Sequence, residues 1–194
     1  FPHRVRAIRV DRKGRGFALK TAWLSSNAQV LAYMDVDLST SLDHIDNLVH
    51  PLLTGVSDIA IGSRLMKNSA TTRSLKREFI SRTYNALLHA YLGAQFSDAQ
   101  CGFKAIRTDT FHTLVPQLYD NEWFFDTEML FLAQYRGYRL TQVPVHWVED
   151  QSSSVHIPDT ILKDLKGMHR MRRTRKKYTD DRTYLPHLKQ QATT

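Results

Sequence analysis

The chain has a single cysteine, Cys101, among 194 residues, so no internal disulfide can staple it, and a lone thiol fits a reducing compartment. Long apolar runs are also missing. None approaches the ~20 residues that a membrane-crossing helix needs, and no signal-peptide pattern opens the sequence. It begins Phe1-Pro2-His3-Arg4 without an initiator Met, as a fragment or a processed product would. The histidines are scattered, with no zinc-ligand spacing among them, and no internal repeat is evident. Acids are in the minority: 19 Asp and Glu stand against 27 Lys and Arg, a net charge of +8. What is plentiful is apolar and aromatic material, at 42% hydrophobic residues with three Trp, eight Tyr and nine Phe. That suffices for one full-sized domain with its own core and excludes disorder over most of the length.

The positive excess is uneven. Lys163, Lys166, Arg170, Arg172, Arg173, Arg175, Lys176 and Lys177 face only Asp164 among acids in their stretch. Such a cluster can meet nucleic acid, lie on an anionic membrane, or simply be a solvated helix end. No nucleic-acid motif accompanies it, so no nucleic-acid partner is expected.

Arg4 to Val10 alternates charged residues with Val5, Ala7, Ile8 and Val10, the pattern of an edge strand. Asp11 to Gly16 reads as a loop and about Phe17 to Ser26 as a helix. Val30 to Met34 is an apolar run too short for most helices, and fits a buried strand of a parallel sheet. Ser39-Thr40-Ser41 can cap a helix with Ile45, Leu48, Val49 and Leu52 on one face. Asp58 to Gly62 is a third strand, completing the βαβαβ order of a parallel α/β sheet. A long helix comes next, from about Thr72 to Leu92, with Leu75, Phe79, Tyr84, Leu87, Leu88, Tyr91 and Leu92 as its apolar set. Arg73, Arg77, Ser81 and Asn85 form a second stripe on it at four-residue spacing. Phe103 to Ile106 predicts a strand, Thr110 to Leu118 a short helix, Phe125 to Arg136 a helix and Leu140 to Val148 a strand. Asp159 to Met171 is amphipathic, with Ile161, Leu165 and Met168 on one face. The basic remainder, Arg172 to Thr194, is expected to be poorly ordered.

The chemistry concentrates at a few points. The Val30–Met34 run ends in Asp35-Val36-Asp37, and in open α/β sheets ligands gather at the carboxyl ends of strands. Side chains alternate along an extended chain, so Asp35 and Asp37 share a side and offer hard oxygen donors for Mg²⁺ or Mn²⁺ with a substrate diphosphate. They could equally terminate the strand and cap the next helix. Lys13-Gly14-Arg15-Gly16 puts two cations and two small residues at a helix start, either a phosphate cradle or a plain turn. Arg64 directly succeeds the third strand, and Arg77 and Ser81 lie one turn apart on one helix face, a plausible phosphate clamp. In Ser97 to Lys104, Asp98 is the better candidate for a metal ligand or base, and Cys101 reads as a small buried hydrophobe. Trp123 to Glu128 sets acids beside a dense aromatic patch, where Asp126 could be no more than a helix cap.

Taken together, Lys13-Gly14-Arg15-Gly16, Met34 to Leu38, Ile61 to Arg64, Ser81 to Asn85, Asp98 to Lys104, Trp123 to Glu128 and Val143 to Trp147 resemble family 2 glycosyltransferases of the dolichyl- or polyprenyl-phosphate hexosyltransferase branch. The resemblance covers about residues 10 to 170. It implies an α/β fold of the GT-A type with a mostly parallel central sheet, over residues 1–171, with 172–194 as a basic tail. It implies metal-dependent, inverting transfer of a hexose from UDP-glucose or GDP-mannose to polyprenyl or dolichyl monophosphate. Asp35 and Asp37 would hold Mg²⁺ or Mn²⁺, and with Lys13, Gly14, Arg15 and Gly16 the donor. Arg64, Arg77 and Ser81 would hold the acceptor phosphate, and Asp98 with Asp37 would shape catalysis. The family's opening Pro-x-Tyr-Asn-Glu-like strand has no counterpart, so roughly one βαβ unit, ~50 residues or more, is expected to be missing from the front. Ser39 stands where many mannosyl-transferring relatives carry Gln, which tilts the donor toward glucose. The basic amphipathic helix would then meet the cytoplasmic face of a membrane. An inactive truncated remnant and a polysaccharide acceptor are the competing expectations, with a basic nucleic-acid-binding protein as the remote one.

Overall fold

The computed structural model describes residues 5–72, 74–148 and 157–180. Four strands form the central sheet: β1 (Val30–Met34), β2 (Ile59–Ser63), β4 (Phe103–Arg107) and β5 (Leu140–Pro144), in the order β1-β4-β2-β5. β2 pairs with β5 in parallel, while β4 runs antiparallel to both its neighbours, so three of the four strands share one direction. The reversal of β4 has a plain cause. Helix α3 (Leu75–Leu92) leads away from the carboxyl edge of the sheet, and residues 94–101 climb back to it, where Asp98 meets Arg64 just past β2. β4 therefore enters the sheet where the others end, with Phe103 opposite Met34.

Helices cover both faces. On one, α2 (Ile45–Leu53) buries Leu48 and Leu52 against Ala60, Phe103, Ala105, Val143 and Val145. A 3-10 turn, Leu42–His44, precedes α2 and is capped by Ser41, whose side chain accepts from the Asp43 N–H. On the other face α1 (Arg15–Leu24), α3 and the short α4 (Thr108–Leu114) pack around α5 (Phe125–Tyr135), nearly every residue of which is buried. The last helix, α6 (Ile157–Asp180), lies on α5 and α3, with Phe124 filling the space where a side chain on Gly167 would stand.

Several expectations change. Residues 5–10 form no strand and their side chains are mostly exposed; a strand must pair its backbone groups, and no described ladder includes these residues. Leu140 to Val148 is two strands: the chain turns out of the main sheet at Val145, and β6 (His146–Val148) pairs in parallel with β3 (Ala70–Thr72). α6 continues past Met171 to Asp180, since nothing in that basic stretch breaks a helix; residues 181–194 lie outside the described ones. Among the described residues, no helix is long and apolar enough to cross a membrane.

Helix α3 is turned relative to its apolar pattern. Ser81 and Asn85 are buried along with Leu88 and Leu92, and Leu75 and Phe79 stand 88% and 72% exposed. The polar stripe thus faces the protein in the first turns. Arg73, its first member, lies outside the described residues.

Candidate active site

β1 ends at Met34, and residues 35–38 form a turn closed by the Leu38 N–H on the Asp35 carbonyl at 3.1 Å. Alternation along an extended strand therefore stops before Asp37. Asp37 is exposed and its Oδ1 accepts the Ser39 N–H at 3.0 Å, while Leu38 adopts a left-handed φ of 54°, uncommon for a residue with a side chain. Asp35 is half-buried. Its N–H donates to the Gly102 carbonyl at 2.9 Å, and a Cβ on Gly102 would overlap its carboxylate. Burial pushes the Asp35 carboxyl up, the Arg15 guanidinium opposes this, and the charge of Asp37 adds to it, so the two acids sense one another.

Arg15 comes from the first turn of α1. Its Nη2 donates to Asp35 Oδ1 at 3.0 Å, and its Nε lies 3.5 Å from Asp126 Oδ2. The guanidinium lies over two aromatic rings, 4.9 Å from the centre of Tyr33 and 5.2 Å from that of Trp123. Lys104, fully buried on β4, reaches the Tyr33 hydroxyl at 3.2 Å and Asp126 Oδ1 at 3.4 Å, and Tyr33 donates to Asp126. Two cations and two carboxylates thus interlock beneath the edge. Arg15, Ala18, Leu19, Tyr33, Met34, Asp35, Val36 and Trp123 line an adjoining cavity of about 260 Å³.

The rest of the Lys13–Gly16 segment serves the scaffold. The N–H groups of Gly16 and Phe17 donate to the carbonyls of Glu122 and Asn121, at 3.2 and 3.0 Å. The start of α1 therefore spends these donors on its own chain rather than on an anion. A Cβ on Gly16 would come within 2.6 Å of Phe125 Cβ, and one on Gly14 would overlap the Asn121 carbonyl. The two glycines allow α1 to press against residues 121–125, Lys13 is exposed, and Arg15 is the member of the motif that touches Asp35.

A second cluster flanks the first. Arg64 clasps Asp98 with Nε at 2.7 Å and Nη2 at 2.9 Å, and its backbone N–H adds a third bond at 3.1 Å. Complete burial alone would raise the Asp98 carboxyl, but Arg64 outweighs it and holds the group down at about 2. The Gln100 N–H also donates to Asp98. So engaged, Asp98 is a weak base and a poor candidate for a metal ligand; it is the counter-ion that orients Arg64. Arg64 also lies 5.3 Å over the ring of Trp147. On α3, Arg77 is half-buried and the buried Ser81 Oγ has no hydrogen-bond partner among the described residues. One turn on, Asn85 Oδ1 accepts the Ala99 N–H at 3.1 Å, which ties this stripe to the segment carrying Asp98. Cys101 is buried, and its thiol is pushed up to about 11 by that burial.

Tyr33, Gly102, Lys104, Trp123 and Asp126 were not among the site residues expected from sequence. The usable signal was Lys104 itself, a lysine at an inward position of an apolar strand. Asp126 is no mere cap, because its side chain accepts no backbone N–H of α5.

A mixed sheet, with three of its four strands in one direction and acids and arginines gathered along their carboxyl edge, marks an α/β protein of the GT-A type. Solved structures agree on that fold: glucosyl-3-phosphoglycerate synthase from Mycobacterium tuberculosis, in complex with Mn²⁺ and UDP-glucose, superposes with a TM-score of 0.58 at 16% identity, over 83% of this chain and 56% of that one. The pattern of the family described as "Glycosyl transferase family 2" matches residues 1–115, and the chain belongs to that family. Glycosyltransferase AglD of Haloferax volcanii is 39% identical over 158 residues, 81% of this chain and 25% of its own length. The dolichyl-phosphate beta-glucosyltransferases of Drosophila melanogaster and Homo sapiens are 29% and 27% identical over 75% and 78% of the chain. The chain spans about half the length of those two enzymes, 47% and 49%.

Proposed function

We propose that this chain, with residues 1–171 as its catalytic unit, transfers a hexose, glucose in preference to mannose, from a nucleoside-diphosphate sugar to polyprenyl or dolichyl monophosphate. The observation that carries the reading is the pairing of two groups on one sheet edge: acids for a donor diphosphate and its metal, and Arg64, held by Asp98, for an acceptor phosphate, with Ser81, whose hydroxyl has no partner among the described residues, on the helix tied to the Asp98 segment. The relatives, dolichyl-phosphate beta-glucosyltransferases by name, support glucose and dolichyl phosphate.

The residues present suit Mg²⁺ or Mn²⁺. Asp35 and Asp37 are hard donors, and Gly102 leaves room for the Asp35 carboxylate. Among the described residues no three acids, histidines or cysteines converge, which suits an ion that takes its remaining ligands from phosphate and water. Bound there, the metal would neutralise charge on the leaving nucleoside diphosphate. Arg64, fixed by Asp98, would present its guanidinium to the acceptor phosphate along with Arg77 and Ser81. An acceptor phosphate oxygen forms a bond to the anomeric carbon as the bond from that carbon to the diphosphate oxygen breaks, with inversion. The phosphate monoester is already anionic near neutral pH, so no base is called for, in keeping with an Asp98 held at about 2. Alignment and electrostatic stabilisation carry the rate. The acceptor would be met at the cytoplasmic face of a membrane, with α6 alongside it.

The test is transfer of radiolabel from UDP-glucose and from GDP-mannose to polyprenyl phosphate by the intact protein, with and without Mg²⁺. Metal-dependent labelled lipid from UDP-glucose is expected. Asp37→Asn should lower the rate by about a hundredfold or more, and Arg77→Ala by about tenfold or more, the range seen when one charge-stabilising donor is lost. Transfer untouched in Arg77→Ala would overturn the acceptor site, and product from neither donor would overturn the reaction.

A further inference from the structure

The acid best placed to hold a metal already has a cation on it. Asp35 Oδ1 accepts a hydrogen bond from Arg15 Nη2 at 3.0 Å, a partly buried pair in which the Arg15 side chain is 16% exposed and the Asp35 side chain 40%. Arg15 is also held independently of Asp35. Its guanidinium lies over the rings of both Tyr33 and Trp123, and Asp126 sits 3.5 Å from its Nε. The guanidinium can therefore let go of Asp35 without being left unpaired. An arginine has five N–H donors in a fork suited to phosphate oxygens, and a guanidinium and a divalent cation on the same carboxylate repel one another.

We propose that Arg15 couples donor and metal binding: it occupies Asp35 until a nucleoside diphosphate draws the guanidinium onto its phosphate oxygens and frees the carboxylate for the divalent ion. This rests on the reading of Asp35 and Asp37 as the metal ligands. Metal alone then binds weakly, because it must compete with a resident charge. Metal and nucleotide strengthen one another's binding by the same factor, as linkage requires. Lys104 remains on Asp126 throughout and supplies the second positive charge beneath the site.

The experiment is Mn²⁺ binding to the intact protein, read from the electron paramagnetic resonance of free Mn²⁺, alone and with saturating UDP, corrected for Mn²⁺ held by free UDP. For the wild type, UDP is expected to tighten Mn²⁺ binding about tenfold or more, a typical coupling for linked sites. Arg15→Gln should bind Mn²⁺ alone about tenfold more tightly than wild type, and UDP should then add less than about twofold, the coupling having been removed. Arg15→Lys keeps a charge near Asp35 and is expected to keep metal-only binding weak, which separates loss of charge from loss of packing. Metal-only binding that is unchanged or weaker in a folded Arg15→Gln protein overturns the coupling. Asp37→Asn tests the underlying reading separately. Mn²⁺ affinity lost there while Arg15→Gln behaves as wild type refutes the role of Arg15 alone, whereas affinity retained in Asp37→Asn refutes the metal site itself.

Discussion

Two buried acids meet the cost of desolvation in opposite ways. Asp98 is given Arg64 and is driven down to about 2, so its stabilising contribution is present above the ordinary carboxylate range and is lost as pH falls toward 2. Asp164, on α6, has only the Tyr84 hydroxyl as a described donor; its Oδ1 has no partner among the described residues, and burial raises the group to about 6. A raised carboxyl binds its proton more tightly in the folded state. Its favourable contribution is therefore complete below about pH 4 and lost as pH climbs through 6. Asp164→Asn should accordingly stabilise the protein at pH 7 by roughly 1–3 kcal/mol, with the gain vanishing near pH 4. Urea unfolding at the two pH values measures this. Equal or lower stability of the variant at pH 7 would show that Asp164 finds a charged partner in the folded state.

At the scale of elements, periodicity was a good guide where packing tracks hydrophobicity and a poor one where the site overrides it. The spacing of Leu48 and Leu52 identified α2, and the apolar run Val30–Met34 identified a strand with its acids at the carboxyl edge, although β1 ends the sheet, pairs antiparallel with β4 and buries only Leu31, rather than being a buried strand among parallel neighbours. In α3 the same reasoning put Leu75 and Phe79 inward, yet the first turns bury Ser81 instead, toward the segment that holds Arg64. The glycines of Lys13–Gly16 suggested a phosphate cradle but accommodate residues 121–125, a long-range contact that local composition does not encode. The reversal of β4 was illegible for a similar reason, since it depends on where residues 94–101 return the chain. That reversal makes Gly102 a junction between β4 and the turn after β1. Gly102→Ala would push a methyl group into the Asp35 carboxylate, at a stability cost of about 1–3 kcal/mol. It should also weaken Mn²⁺ binding about tenfold or more, as displacement of a ligand or of its support does. Gly93→Ala, at the left-handed cap of α3 with open space around it, should lose about 1 kcal/mol and leave metal binding alone. Mn²⁺ titration beside urea unfolding distinguishes them; equal metal affinity in both variants would remove Gly102 from the site.

Across the whole molecule, helices α3 and α6 run side by side in the same direction, with Tyr84 near Asp164 and Tyr91 near His169 and Arg172. The proposed acceptor residues Arg77 and Ser81 lie in the first turns of α3, and Arg172 of α6 lies beside Tyr91 in its last turn, so the positive cluster and the proposed acceptor site are at opposite ends of this helical layer. A bilayer that delivers a lipid phosphate to Arg64 while meeting Arg172 and Arg173 must therefore lie along the helices. Leu75, Phe79, Leu162 and Leu165 are exposed on them, among Lys76, Arg82 and Lys166. Burying Leu75 and Phe79 in the interface would contribute roughly 1.5–3 kcal/mol each at full burial. The double variant Leu75→Ser/Phe79→Ser should thus lower partitioning onto vesicles containing anionic lipid at least about tenfold, with little dependence on salt. Arg172→Glu/Arg173→Glu should lower it in a manner that salt abolishes, because those charges act through screened attraction. Co-sedimentation with phosphatidylcholine vesicles, with and without phosphatidylglycerol, reads both effects. If only the arginine pair matters, α6 alone meets the membrane and the lipid must reach Arg64 from elsewhere. If neither pair matters, this helical layer is not the face that meets lipid.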